Sequence, residues 1–167
     1  MAPAVHKGRW PIALAVLAAV AAAWFGWSWW SAAHDDSLAR GRARDAVLAA
    51  ASAELVTLNT IDYRTGPADV DRWIAATTGQ YGKDLTGDRQ MQIERAKNTK
   101  TVSTASLVQA AVTELDPTAG TARLIAVLNV QVSTGGAATT AKQARLTVDF
   151  ARADDAWKIS AVQAVGS

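Results

Sequence analysis

The chain has 167 residues, contains no cysteine and carries a formal net charge of +2. Two of its seventeen Lys and Arg residues precede Asp35, whereas all fifteen acidic residues lie from Asp35 onward, so that part of the chain is formally neutral. This balance argues against a nucleic-acid-binding surface. The absence of cysteine excludes disulfides, lipid attachment to cysteine and cysteine-based zinc sites.

An apolar run of twenty residues without an ionisable side chain extends from Pro11 to Trp30. A helix of this length rises roughly 30 Å, which is the thickness of bilayer hydrocarbon. The sequence therefore predicts a cytoplasmic tail over residues 1–10 and a transmembrane helix over residues 11–31. A cleaved signal peptide is the main alternative, but its apolar region would be only about 7–15 residues long.

Tryptophans lie at both ends of the predicted transmembrane helix. Indole rings favour the membrane–water interface, so we expect them to form an interfacial belt in the lipid bilayer, with packing against a partner helix as the alternative. These residues are Trp10, Trp24, Trp27, Trp29 and Trp30.

Charges on the two sides of the apolar run are nearly balanced, with Lys7 and Arg9 before it and three arginines between positions 40 and 44 after it. The tail is purely basic, which favours an N-terminus inside. The prediction is therefore a single-pass protein of the cytoplasmic membrane with an extracytoplasmic domain over about residues 35–167.

Residues 32–66 are predicted to form a juxtamembrane stalk and the first helix of that domain. Apolar side chains recur there at helical spacing, and Asp36 or Ser37 can cap the helix. The predicted buried positions are Val47, Ala51, Leu55, Leu58 and Ile61.

Residues 67–167 contain two further predicted helices, one from Asp69 to Thr77 that Gly79 ends, and one from Asp88 to Lys97. The pattern then becomes β-branched and partly alternating, with turn residues between the segments. Four strands are predicted, over residues 101–114, 122–133, 142–152 and 156–165. Helices followed by strands indicate an α+β fold, with helices covering one face of an antiparallel four-stranded meander and the other face open to water or a partner.

Catalytic and metal-binding residues are scarce in the predicted domain. Both histidines, His6 and His34, flank the apolar run, so histidine-dependent acid–base chemistry, nucleophile pairs and zinc sites are excluded from the remainder. Phosphate-binding glycine motifs are absent as well. The sequence predicts no enzyme activity, no metal and no cofactor.

Four side chains are candidates for a ligand pocket. Glu54 falls within the apolar stripe of the first helix, where an unpaired carboxylate would be costly. It could lie at the base of a cavity, form an ion pair with Arg123 or Arg145 from the sheet, or lie at the edge of the stripe in contact with water. The other candidates are Asp62, Tyr63 and Tyr81, for which packing roles are the alternative.

The order of segments resembles the Mce-associated membrane proteins of actinobacteria. The similar parts are Asp62-Tyr63-Arg64, Ala76-Thr77-Thr78-Gly79 with Tyr81, the strand pair from Thr104 to Thr134, and Arg145–Val148 leading to Trp157–Ser160. The resemblance covers nearly the whole chain. It implies a VirB8-like variant of the NTF2-like cone, with helices packed on a curved four-stranded sheet.

The same resemblance implies an accessory subunit of Mce transporters, which import lipids or sterols across the cell envelope, and it supplies no catalytic residues. Expected partners are Mce transporter subunits or other membrane components, in a homo- or hetero-oligomer. The alternatives are an assembly component of a VirB8-type conjugation or secretion machine, which the same fold permits, and a small-ligand-binding NTF2-like domain.

Overall fold

The computed structural model describes residues 10–33 and 36–165 and divides the chain into two compact units, residues 1–41 and 42–167. The first unit contains helix α1 (Trp10–Ala33), on which Trp24, Trp27, Trp29 and Trp30 are exposed. Over the residues described, no helix combines the length and apolar character needed to cross a membrane. The predicted tail and the side chain of Trp10 lie outside the described part.

Helix α2 (Asp36–Leu58) buries Val47, Ala51 and Leu55 completely, as their four-residue spacing predicts. The helix ends earlier than the apolar pattern indicated. Asn59 and Thr60 donate side-chain hydrogen bonds of 2.9 and 2.7 Å to the carbonyls of Leu55 and Val56. These bonds satisfy carbonyls in the last turn, and Ile61 is buried in a strand instead.

Three short helices follow: α3 (Gly66–Ala75), α4 (Gly79–Gly87) and α5 (Arg89–Thr99). Pro67 lies in the first turn of α3, where its missing N–H and fixed φ are compatible with a helix, so α3 begins before the predicted start at Asp69. Gly79, predicted only to end a helix, has φ of +65° and begins α4.

The sheet contains five antiparallel strands in the order β1-β2-β3-β4-β5, which corrects the predicted count of four. The additional strand is β1, whose two residues pair with the start of β2. A strand of two residues is too short to show the alternation of apolar and polar side chains from which strands are predicted. The strands are β1 (Ile61–Asp62), β2 (Val102–Asp116), β3 (Thr121–Ser133), β4 (Thr140–Ala153) and β5 (Ala156–Ala164).

The main hydrophobic core lies between α2 and one face of the sheet. Alternate residues of β3, such as Leu124 and Leu128, are fully buried against Leu55 and Phe150 in one cluster. A second, smaller cluster joins β1, α3 and α5. On the opposite face of the sheet Ile125 is 48% exposed. The predicted arrangement of a covered face and an open face is therefore confirmed.

The two edges of the sheet differ in how they are covered. On β5, Ile159 exchanges backbone hydrogen bonds with the α3–α4 connection: its N–H donates to Ala76 O at 3.0 Å, and Thr78 N–H donates to its carbonyl at 2.8 Å. On β2, strand β1 pairs only with Val102 and Ser103. Among the described residues, no backbone group pairs with the outer edge of β2 from Thr104 onward.

Candidate functional site

Glu54 lies half-buried on α2, beside the main core. Burial raises the pKa of its carboxyl group, and the charge of Lys158 partly offsets this effect. The predicted partner Arg123 instead pairs with Glu114 and Asp149 on the sheet. Among the described residues, neither Arg123 nor Arg145 forms an ion pair with Glu54. The carboxyl group is thus a half-buried acid near one lysine.

Asp62 and Tyr63 lie at the other hydrophobic cluster. The Asp62 carboxylate accepts hydrogen bonds from the backbone N–H and the guanidinium of Arg64, at 2.9 and 3.2 Å. The Arg64 guanidinium also stacks over the Tyr63 ring, 4.8 Å from its centroid. Tyr63 packs against the small cluster formed by β1, α3 and α5. Through these contacts, Asp62 and Tyr63 both stabilise the turn between β1 and α3.

Tyr81 packs on the main core from α4, and burial raises the pKa of its hydroxyl group. It therefore lies at a different hydrophobic cluster from Tyr63. The ligand pocket predicted from the sequence requires Tyr63 and Tyr81 to lie close to Glu54 and Asp62. The four residues are divided between the two clusters, and their role in a pocket stays a prediction.

Asp69, predicted only as a helix cap, is the most deeply buried carboxylate among the described residues, with 2% of its surface exposed. Its oxygens accept hydrogen bonds from the Asp62 N–H at 2.7 Å, from the Thr65 hydroxyl at 2.9 Å, and from Arg72. Burial alone would raise its pKa, but these donors outweigh burial and lower it. Asp69 thus joins β1 to the start of α3, which is a structural role.

A charged cluster crosses the outer face of the sheet. Arg123 on β3 lies in register with Glu114 on β2 and Asp149 on β4. Its guanidinium contacts Asp149 at 2.7 Å and Glu114 at 3.2 Å. These groups line a cleft of about 430 Å³. Because these groups are paired with each other, they do not supply an unsatisfied ligand for a bound ion or molecule.

Metal-binding groups are not found in the part of the chain that the structure describes, where no three His, Cys, Asp or Glu side chains come close enough to hold an ion. The described site residues therefore offer hydrogen bonds, ion pairs and packing surface.

The open edge of β2, together with the exposed apolar residues Val108 and Ile125 on the adjoining outer face, is here called the β2 surface. From Thr101 to Thr113 the chain has neither a charged residue nor a proline. Charged residues and prolines are the usual means by which edge strands avoid pairing. Val108 on β2 and Ile125 on β3 are 53% and 48% exposed. Free backbone groups beside exposed apolar side chains can bind a strand or an apolar surface of another protein.

Comparison with solved structures identifies the fold of this unit. The periplasmic domain of DotI matches with a TM-score of 0.60 at 14% identity, over 74% of this chain and 95% of that chain. CagV, a VirB8 homolog from Helicobacter pylori, matches with 0.55 at 12% identity, over 73% and 98%. VirB8 from Agrobacterium tumefaciens matches with 0.54 at 10% identity, over 75% and 94%. The predicted VirB8-like fold is confirmed.

No curated protein matches the chain in sequence. A family profile, however, matches residues 10–166, which is nearly the whole chain. The chain belongs to the family of uncharacterised proteins that are similar to Rv1363c/MT1408.

Proposed function

We propose that this chain is a non-enzymatic, single-pass membrane protein whose extracytoplasmic domain assembles with other components of a cell-envelope complex. The observation that carries the proposal is the VirB8-like fold of the second unit, which it shares with proteins of secretion systems. DotI and TraM, which are similar in structure, were solved as periplasmic pieces. A periplasmic location of these similar domains is consistent with the extracytoplasmic location that we propose for residues 35–167.

The proposed membrane attachment rests on the sequence from Pro11 to Trp30, a run of twenty residues without an ionisable side chain. An anchor of this kind restricts the search for partners to the membrane surface. A non-enzymatic role is supported by the lack of histidine and cysteine after position 34.

Two kinds of complex are consistent with the proposal. The resemblance to Mce-associated proteins favours a transporter of lipids or sterols, and the structural likeness to CagV and VirB8 favours a conjugation or secretion machine. We propose the transporter as the first candidate, because its resemblance includes motifs along nearly the whole chain. The fold alone does not distinguish between them.

The test is purification of the full-length protein from native membranes in mild detergent, with mass spectrometry of the accompanying proteins. Mce-type lipid-binding subunits or their permease would support the transporter, and secretion-channel subunits would support the second candidate. Recovery of the chain without any membrane partner, in detergents that preserve other complexes, would contradict an assembly role.

The same purification tests whether the β2 surface makes the contact. We expect Ile125→Asp to lose the partners, because it places a charge on the open face of β3 without disturbing the core. Met91→Asp on α5 is the matched control, since Met91 is 55% exposed on a different element. Equal partner recovery by both variants would show that Ile125 does not contribute to the contact.

A further inference from the structure

A pocket of about 250 Å³ lies between α3, α5, the first residue of β1, Thr101 before β2 and Thr134 after β3. Its apolar lining consists of Ile61, Trp73 and Ala96. Ile61 and Ala96 are buried and belong to the smaller hydrophobic cluster, on which Trp73 packs. The pocket is therefore separate from the main core and from the β2 surface.

Hydrogen bonds fix the walls of this pocket. The Trp73 indole N–H donates to the carbonyl of Thr60 at 3.0 Å, which holds the ring in one orientation. The end of α5 is held to the β3–β4 loop by a bond of 2.9 Å from Gly135 N–H to Thr99 O. Tyr63 N–H donates to Thr101 O at 3.0 Å. Because these bonds join the walls of the pocket to one another, binding has little of the pocket left to order.

The polar lining is suited to an anion. Arg95 provides the positive charge and Gln92, one turn earlier on α5, provides an amide. No acidic residue lines the pocket. Among the described residues, Arg95 forms no ion pair with a carboxylate, in contrast to Arg89 on the same helix, which pairs with Asp71. The Arg95 guanidinium can therefore bind a ligand without first breaking an internal ion pair.

Two hydroxyl groups, one on the last residue of α5 and one two residues after it, already form hydrogen bonds within the protein. Thr99 Oγ1 donates to Arg95 O at 2.7 Å, and Thr101 Oγ1 lies 2.7 Å from Thr99 Oγ1. Because the Thr99 hydroxyl donates to this carbonyl, the Thr101 hydroxyl is the donor in the hydrogen bond between the two threonines. Donors for a ligand are thus Arg95, Gln92 and the hydroxyl of Thr134, all along the polar lining.

We propose that this pocket binds a small carboxylate with a flat apolar body, whose body packs on Trp73 and whose carboxylate pairs with Arg95. The volume decides the size class, because about 250 Å³ lies below the ~300–1,000 Å³ typical of pockets for drug-sized ligands. A single aromatic ring with one carboxylate fits this limit. This ligand site goes beyond the proposed assembly function, because assembly with membrane partners does not require the protein to bind a small molecule.

The test uses the full-length chain, labelled with ¹⁵N in detergent micelles, and benzoate as the probe. We expect saturable shifts of the Trp73 indole N–H and of the Arg95 and Thr134 amides at millimolar benzoate. Benzyl alcohol, which keeps the ring and lacks the charge, should bind at least about tenfold more weakly, since it cannot form charge-assisted hydrogen bonds between a carboxylate and Arg95. Equal binding of the two probes would overturn the proposal.

Arg95→Gln is the decisive variant, because Arg95 is exposed and its replacement leaves the packing intact. We expect benzoate to bind it about tenfold more weakly. Lys97→Gln removes the same charge from an exposed position of α5 that does not line the pocket, and should leave benzoate binding unchanged. An unchanged affinity in Arg95→Gln, or the absence of saturable shifts in the parent, would refute the site.

Discussion

At the scale of single residues, Asp69 shows how a buried carboxylate stabilises a junction. Its two carboxylate oxygens accept hydrogen bonds from β1, from the residue before α3 and from α3 itself. A buried acceptor with three donors holds its charge because the hydrogen bonds favour the ionised form. Removing the charge therefore weakens three contacts at once.

We predict that Asp69→Asn lowers the free energy of unfolding by about 2 kcal/mol at neutral pH. Because the folded-state pKa of Asp69 lies below the ordinary 3.8, its stabilisation is present above that pH and is lost as pH falls through the folded value. Urea unfolding at neutral and strongly acidic pH measures both effects. Asp71→Asn, at an exposed pair on the same helix, is the control and should change stability much less. A difference between parent and Asp69→Asn that persists unchanged in acid would contradict this account.

Glu54 should show the opposite pH dependence. Burial raises the pKa of its carboxyl group above 4.5, so its favourable contribution is full below that pH and is lost as pH rises through the folded value. We predict that Glu54→Gln is slightly more stable than the parent at neutral pH and equal to it near pH 4. Urea unfolding at the two pH values tests this. A loss of stability in Glu54→Gln at neutral pH would indicate that the carboxylate forms a favourable contact.

Residues whose role follows from periodicity could be predicted from the sequence, whereas residues whose role follows from long-range contacts could not. Val47, Ala51 and Leu55 were predicted as core because their spacing alone places them on one helix face. Asp69 was missed as a junction residue because its first donor lies seven positions earlier. The pocket around Arg95 was missed because its lining comes from separate segments of the chain.

At the scale of elements, the contact between α4 and β5 depends on one close approach. A Cβ atom on Gly82 would lie 3.2 Å from the backbone carbon of Thr77 and 3.3 Å from its hydroxyl oxygen. Thr77 is buried and bridges to Ile159 on β5. The glycine therefore allows α4 to pack on the segment that covers the β5 edge.

We predict that Gly82→Ala destabilises the protein by about 1–3 kcal/mol through overpacking against Thr77. Gly87→Ala, in the same helix, is the matched control: its Cβ would meet no atom within 4 Å, and alanine should stabilise by up to about 1 kcal/mol. Thermal unfolding of both variants measures these effects. A Gly82→Ala protein as stable as Gly87→Ala would show that α4 can shift without cost.

The strands β2 to β5 were predicted well because alternating side chains and turn residues are local signals. The omission of α4 has a local cause: it contains Gly79, Gly82 and Gly87 within nine residues, and glycine disfavours helix. Its helical structure depends on packing against α3 and β5, which the local sequence does not encode. Strand β1 was missed because its two residues are defined only by pairing with β2.

At the scale of the whole molecule, the proposed topology can be tested by cysteine labelling, because the parent chain has no cysteine. Ala137→Cys places a thiol at an exposed position in the β3–β4 loop, and Ala4→Cys places one in the predicted tail. We predict that a membrane-impermeant maleimide labels only Ala137→Cys in intact cells and labels Ala4→Cys after permeabilisation. The parent, which has no cysteine, measures background labelling. Labelling of Ala4→Cys alone in intact cells would show that the topology is the opposite of the one proposed.

The open edge of β2 also has a consequence for proton exchange with solvent. From Thr104 onward, alternate backbone N–H groups of β2 point away from β3 and have no partner in the described part of the chain. Those amides exchange rapidly with deuterium in the isolated protein, whereas their neighbours, bonded to β3, are protected. A strand or surface bound at this edge would protect the exposed set alone, so the exchange pattern of one strand reports whether the protein is assembled.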